Sequence, residues 1–322
     1  NRLTPPTQMT LEHWLSYWLE DVIRPNREDT TYYCYHSIIT NHIVPILGKV
    51  KIQQLTPYQI QAYYNQIMRE KGLSSNTVYK HHILLHTALK MAHRQKLLPE
   101  NPIDLVEAPH QQLPSQSYYN PKQLNKLFRA VEGDWLEIVV KLAGYLGLRR
   151  SEICGLRWED VDLENGVIQI QCVRTTAGGK VVEKQPKSES SIRKLGIAGI
   201  SDLVDLLREE RFNQLQQKKQ LGKAYWDSGY VVVKKDGSPC QPNQVTNIFR
   251  QFIQLHGLPH ITIHGLRHTF ASVANSAKVP LVDIGKALGH KDITITGRIY
   301  THLFDQTHQE VLNMVASRIC IE

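Results

Sequence analysis

The sequence predicts two domains of different class: an all-α domain, then a mainly helical α+β domain with a small antiparallel sheet. Three observations carry this. From Met9 to about His93, apolar residues recur at spacings of three and four with turn residues between the segments, as in packed helices. From Leu98 to Asn120 the chain is interrupted by Pro99, Pro102, Pro109 and Pro114 among Gln and Ser, the composition of an extended, semi-rigid linker. Beyond it, short strand-like runs mix with helical ones. The 322 residues suffice for two cores at roughly 100 to 200 residues per domain. The boundary is placed at 112, giving domains 1–112 and 113–322.

Four helices are expected in the first domain. The first covers Thr10 to Asp21, with Thr10 as cap and Leu11, Trp14, Leu15, Trp18 and Leu19 on one face. A second runs from Thr30 to His42 and stops before Pro45 and Gly48. The third starts at Thr56-Pro57, a cap followed by proline at the first helical position, and ends at Lys71 before Gly72. The fourth spans Ser74 or Ser75 to Lys96. In the second domain, helices fit Pro121 to Val131 and Trp135 to Leu146. Strands fit Val167 to Val173, Val181 to Lys184 and Ser191 to Leu195, with a turn at Ala177-Gly178-Gly179. A helix from Ser201 to Leu221, a strand at Tyr230 to Val233 and a helix from Gln241 to His256 follow. From His264 the chain reads as helical nearly to its end.

Lys plus Arg number 38 against 30 Asp plus Glu, a formal charge of +8 with 15 His neutral. Apolar residues at 41% and charged residues at 21% mark a globular chain, and its basic balance makes nucleic acid the first partner to test. Residues 1–109 hold 11 basic and 9 acidic side chains, so charge there matters only if clustered. It is clustered on the fourth helix, where Lys80, His81, His82, Lys90, His93, Arg94 and Lys96 surround Val78, Ile83, Leu84, Ala88, Leu89 and Met91. That is either a solvated polar face or a DNA-facing surface. Trp135 to Leu148, the most apolar stretch, is broken by Glu137 and Lys141, so no membrane span is expected. Asn1 is followed by no signal-peptide pattern, and the chain is expected to begin inside a longer gene product. Cysteines 34, 154, 172, 240 and 320 form no C-x-x-C pair and read as buried thiols in a reducing cytoplasm.

Three clusters combine glycine with positive charge or imidazole: Leu146-Gly147-Leu148-Arg149-Arg150-Ser151-Glu152, His264-Gly265-Leu266-Arg267-His268-Thr269-Phe270-Ala271, and Leu288-Gly289-His290 with Tyr300 ten residues on. His264 and His268 share a helical face as in a zinc protease, but Gly265 stands where the catalytic Glu would be. No plausible pair of metal-binding carboxylates accompanies the clusters, so no metal site is expected. The set suits metal-free phosphoryl transfer. Arginine forks bind the nonbridging oxygens of a phosphodiester and stabilise the extra charge of a pentacoordinate state. Histidines donate hydrogen bonds or move protons near neutral pH. A tyrosine attacks once nearby cations favour its phenolate.

Leu-Arg-x-Ser-Glu-x-x-Gly-Leu, His-x-Leu-Arg-His-Thr-Phe-Ala, Leu-Gly-His and the later Tyr, in that order over residues 146–300, resemble the tyrosine recombinases of the lambda-integrase family. Residues 9–96 are similar to the SAM-like four-helix core-binding domain of phage and conjugative-transposon integrases. The resemblance implies a site-specific recombinase of a bacterial mobile element, acting on double-stranded DNA at the nucleoid through a 3′-phosphotyrosyl intermediate and a Holliday junction. Neither ATP nor any other cofactor is implied, because the phosphotyrosyl bond keeps the phosphodiester energy. By position, Arg149, His264, Arg267 and His290 match the activating set and Tyr300 the nucleophile. Glu152 matches the acidic residue that holds the first arginine, and His268 a supporting residue. Lys187 best fits the lysine that protonates the leaving 5′ oxygen, with Lys180, Lys184 and Lys194 as rivals. Lys80, His81, His82, Lys90, Arg94 and Arg193 are the candidate DNA contacts.

The family further implies four protomers on two sites, with accessory directionality and DNA-bending factors as possible partners. Its tail helix, here Asp305 to Ile319, would dock on a neighbouring subunit or, alternatively, on its own core. The sequence departs from the family pattern at Leu146, where Thr is common, and the arm-binding domain that such integrases usually carry is expected to lie ahead of these residues in the longer gene product. Two other readings are a type IB topoisomerase, which shares the chemistry, and a DNA-binding regulator that has lost catalysis.

Overall fold

The computed structural model describes residues 8–112, 117–186 and 189–290, and the chain divides into two compact units, Asn1–Ser115 and Gln116–Glu322. In the first, the Thr10 hydroxyl caps the opening helix by accepting from the His13 N–H at 3.2 Å. That helix is α over Leu11–Tyr17, π over Trp18–Ile23 and α again over Arg24–Asn26. The second repeats the pattern over Asp29–Ile38, Ile39–Ile43 and Val44–Leu47. Both therefore run past the predicted ends at Asp21 and His42, and each carries a proline, Pro25 or Pro45, just after its wide turns.

The π turns explain why proline does not stop these helices. The N–H of Arg24 reaches back to the Leu19 carbonyl, and that of Val44 to Ile39. A proline at the return to α spacing removes a donor where the ladder is already interrupted. The Asn26 amide then covers the exposed Val22 carbonyl at 2.9 Å.

The third helix, Pro57–Lys71, starts at a capping box of Thr56 and Gln59 and ends at Gly72, whose φ of 62° is left-handed. The fourth, Ser75–Arg94, is capped by Ser74. Trp14, Trp18, Ile43, Ile60, Leu84 and Leu89 lie in the core they enclose. The predicted linker is shorter than its prolines imply, because Leu98 and Ile103 are buried in this core and Pro102–Leu105 forms a 3-10 turn capped by Asn101.

In the second unit, Pro121–Ala130 opens with a capping box of Asn120 and Gln123. Five strands follow: β1 (Val161–Asp162), β2 (Val167–Ile170), β3 (Val173–Ala177), β4 (Lys180–Lys184) and β5 (Arg193–Gly196). They make two antiparallel sheets, β1-β2-β5 and the hairpin β3-β4. In the first, Val161 faces Ile168 and Ile170 faces Arg193; in the second, Val173 faces Lys184.

The single strand expected over Val167 to Val173 is thus two, in different sheets. The chain turns at Gln171-Cys172, where Gly155 lets the Arg150–Gly155 helix press against the Cys172 backbone; a Cβ on Gly155 would lie 2.6 Å from that carbonyl oxygen. The strand expected at Tyr230 to Val233 is reduced to isolated bridges, Arg157 with Tyr230 and Val233 with Pro239. The helices Glu137–Leu146, Ser201–Leu221, Pro242–Leu255, Ile263–Ser276 and Leu281–Leu288 complete the described part. Leu142, Leu148, Ile153, Val231, Phe249 and Leu266 fill its core.

Cys154 and Cys240 are buried as expected, Cys172 is half-buried and Cys34 is exposed. Among the described residues, no helix is long and apolar enough to cross a membrane.

Candidate active site

The site is assembled around the end of one short helix. Leu281–Leu288 closes at Gly289, whose φ of 65° turns the chain out of the helix. Its last carbonyls point away from any intrahelical donor and carry the negative end of the helix dipole. Three arginines from three other segments take three consecutive ones. Arg193 Nε donates to Ala287 O at 2.7 Å, Arg267 Nη2 to Leu288 O at 2.7 Å and Arg149 Nη2 to Gly289 O at 3.3 Å. Ser191 Oγ adds a fourth bond, to Gly289 O at 3.3 Å.

Each arginine has a second anchor. Glu137–Leu146 ends at Gly147 (φ 62°), and the chain then extends through Arg149 into the N-cap of Arg150–Gly155. There the Arg149 N–H donates to Glu152 Oε2 at 2.9 Å and its Nη1 to Oε1 at 2.7 Å. Arg193 grips the same carboxylate from β5, Nη1 to Oε1 at 3.1 Å and Nη2 to Oε2 at 3.0 Å. Glu152 is only 1% exposed. Burial raises the pKa of its carboxyl, but the hydrogen bonds and charge of Arg193, then the charge of Arg149, outweigh it and hold the group below the ordinary carboxylate value. Arg267, on the Thr262-capped helix Ile263–Ser276, is 2% exposed and donates from Nη1 to Gly147 O at 2.8 Å. A Cβ on Gly147 would lie 2.6 Å from Leu288, so the turn that presents this carbonyl needs glycine twice over.

His264 stands one turn before Arg267, its ring edge-on to that of His268 at 4.6 Å. Its edge is open to solvent, yet the protein packed round the ring, with the charges of Arg267 and Arg149, depresses its pKa. His290 follows Gly289, and its N–H is bonded to Gly285 O at 3.0 Å. Burial, then Arg267 and Arg149, push its pKa down to about 4. Both imidazoles are therefore held toward the neutral form beside a cationic pair.

The structure brings together Arg149, Glu152, His264, Arg267, His268 and His290. Lys187, Tyr300 and the tail 305–319 lie outside the described residues, as does Cys320. Of the alternative lysines, Lys180 and Lys184 lie on β4 and Lys194 on β5. Arg150 turns away, to Thr246 Oγ1 at 2.7 Å.

Three of the proposed DNA contacts are engaged within the protein. The Arg193 side chain is 8% exposed and committed to Glu152 and Ala287. His81 is fully buried, its Nδ1 bonded to the Tyr63 hydroxyl at 2.8 Å. His82 is half-buried and shares a hydrogen bond of 3.2 Å with the Tyr64 hydroxyl. Lys80, Lys90 and Arg94 are exposed. Sequence reasoning missed the bracketing role of Arg193 and Ser191; an arginine at an inward position of a half-buried strand was the available signal.

A family model described as the phage integrase family matches residues 118–307, and that for the N-terminal SAM-like domain of phage integrases matches residues 10–68. The chain belongs to the phage integrase family. The chain is 29% identical over 314 residues to a tyrosine recombinase XerC-like protein of Caldanaerobacter subterraneus, covering 92% of this chain and 80% of that one. It is 26% identical over 278 residues to the ICEBs1 integrase of Bacillus subtilis, covering 85% and 74%. Among solved structures, the Tn1549 transposon integrase in complex with circular-intermediate DNA superposes with a TM-score of 0.80 at 22% identity, over 95% of this chain and 99% of that one. A lambda integrase dimer bound to a COC′ core site gives 0.67 at 20% identity, over 90% and 95%. The expected fold, helical SAM-like domain first and helical domain with small antiparallel sheets second, is the fold observed. The chain is a tyrosine recombinase, an enzyme that breaks and rejoins DNA.

Proposed function

We propose that the chain recombines core sites of a mobile element in the bacterial nucleoid, with Tyr300 as nucleophile. Its phenolate oxygen, its proton lost to solvent, attacks the scissile phosphorus, the bond to the 5′ oxygen breaks, and Lys187 gives that oxygen a proton. The product is a 3′-phosphotyrosyl bond and a free 5′ hydroxyl. Attack by the 5′ hydroxyl of the partner strand reverses the step and joins the strands. Arg149 and Arg267 hold the nonbridging oxygens, and neutral His264 and His290 donate hydrogen bonds to the charge that develops there.

The observation that carries this reading is the row of carbonyls from Ala287 to Gly289, each taken by an arginine. It fixes Arg149 and Arg267 beside two neutral histidines before any phosphate arrives, which is the preorganisation that transition-state stabilisation requires. Lys80, Lys90 and Arg94 hold DNA to the first unit. Four protomers act on two sites, with residues 305–319 of each docked on a neighbour, and accessory factors set direction.

A nicked core-site duplex that releases a short strand on cleavage tests the chemistry. The chain should trap itself as a covalent adduct that resists denaturation, and Tyr300→Phe should form none. An adduct with Tyr300→Phe would show that another residue is the nucleophile.

A further inference from the structure

The helix Ser75–Arg94 carries no Asp or Glu along its 20 residues. On its outer side stand Lys80, Ile83, Thr87, Lys90 and Arg94, which at 3.6 residues per turn fall within about 80° of one another. All five are exposed, Ile83 at 40%. Among the described residues, none of the three cations forms an ion pair. The middle of this face is apolar. Ile83 is a hydrocarbon, and the Thr87 hydroxyl is turned back onto the Ile83 carbonyl at 2.7 Å, leaving its methyl as the group to present.

From this juxtaposition we infer that Ile83 and Thr87 read the C5-methyl groups of thymine in the major groove. The inference rests on the proposed hold of this face on DNA. A row of cations without counter-charges is complementary to phosphate, and a protein partner would have to supply an acidic ridge of matching length. The major groove, about 12 Å wide, admits one helix. Lys80 at one end of the face and Lys90 and Arg94 at the other would reach the backbones, fixing register without reading sequence. What then meets the base edges is Ile83 and the Thr87 methyl, neither of which has a donor or acceptor to offer. Apolar contact with thymine is the readout left to such side chains. The helix would therefore select for thymine by its methyl group.

The test uses the full chain and a 30-base-pair duplex enriched from a random library by binding to it. The enriched sequence should contain at least one thymine position that the library enriched by Ile83→Ala lacks. Replacing that thymine by deoxyuridine, which removes the methyl alone, should weaken binding about 3- to 10-fold for the unaltered chain and leave the affinity of Ile83→Ala where it was. Thr87→Ser, which removes the second methyl and keeps the hydroxyl, should show a smaller loss of the same kind. Sequence-selective binding that is indifferent to deoxyuridine at every thymine overturns the inference and leaves the recombinase reading standing. The same sequence enriched by Ile83→Ala overturns it too. Failure of the library to enrich any duplex overturns both.

Discussion

Burial lowers the pKa of two histidines alike, in two different settings. His290 is kept neutral beside Arg267 and Arg149, whereas His81 is kept neutral inside a hydrophobic core. Burial, then the nearby His42, push the His81 pKa from 6.5 down to about 4. In the unfolded chain it protonates near 6.5, so between pH 6.5 and 4 the unfolded state binds a proton that the folded state refuses. Stability is full above pH 6.5 and falls toward pH 4, by up to about 3 kcal/mol for this one buried group. His81→Gln should remove that part of the acid slope, read as a shallower fall of the first unit's urea midpoint between pH 6.5 and 4. An unchanged slope would mean that His81 titrates normally. Periodicity could have placed His81 in the core, since it lies three residues from both Val78 and Leu84, each fully buried. Its charge potential pointed to the surface instead. By contrast, Arg149, Glu152, His264, Arg267 and His290 were legible because short glycine-bearing motifs fix their type and order.

At the scale of elements, the determinant of the site is a helix C-terminus, which no motif spells out. The sequence shows Leu288-Gly289-His290 as a stop signal with an imidazole. That its last carbonyls collect guanidinium groups from β5, from the Ile263–Ser276 helix and from the Arg149 cap emerges only when segments distant in sequence converge. Pro45 was misread as a stop for a similar reason: the π turn that accommodates it has no local signature as plain as the proline itself. Arg193, like Arg267, joins two elements while nearly inaccessible, since it bonds both Glu152 and Ala287. It holds the carboxylate that Arg149 also grips, so it is expected to position Arg149. Arg193→Ala should lower the cleavage rate at saturating DNA about 100-fold, the cost of a misplacement near 1 Å. Arg193→Lys should recover little, because an ammonium cannot make the paired bonds that a fork makes to the Glu152 carboxylate. Single-turnover cleavage separates this from weaker binding: a loss that vanishes at high DNA concentration would make Arg193 a DNA contact after all.

For the whole molecule, the formal charge of +8 is modest for a protein that must hold DNA, and its placement matters more than its size. The second unit spends arginines internally: Arg193 and Arg267 are nearly inaccessible, and Arg149 is tied to Glu152. Among the described residues, the first unit leaves Lys80, Lys90 and Arg94 unpaired and exposed on a helix without acids. The two units should therefore respond differently to salt. If each of the three cations neutralises one phosphate, replacing all three by alanine should lower the slope of log affinity against log salt by about 2.7. The triple variant should need more DNA for half-maximal cleavage, and the deficit should narrow as salt rises because the unaltered chain loses its counterion-release advantage. Arg193→Ala should keep the original slope while turning over slowly. Filter binding from about 50 to 200 mM salt distinguishes the two. A triple variant with an unaltered slope would show that the outer face of Ser75–Arg94 does not meet the backbone, and that the phosphates are held elsewhere.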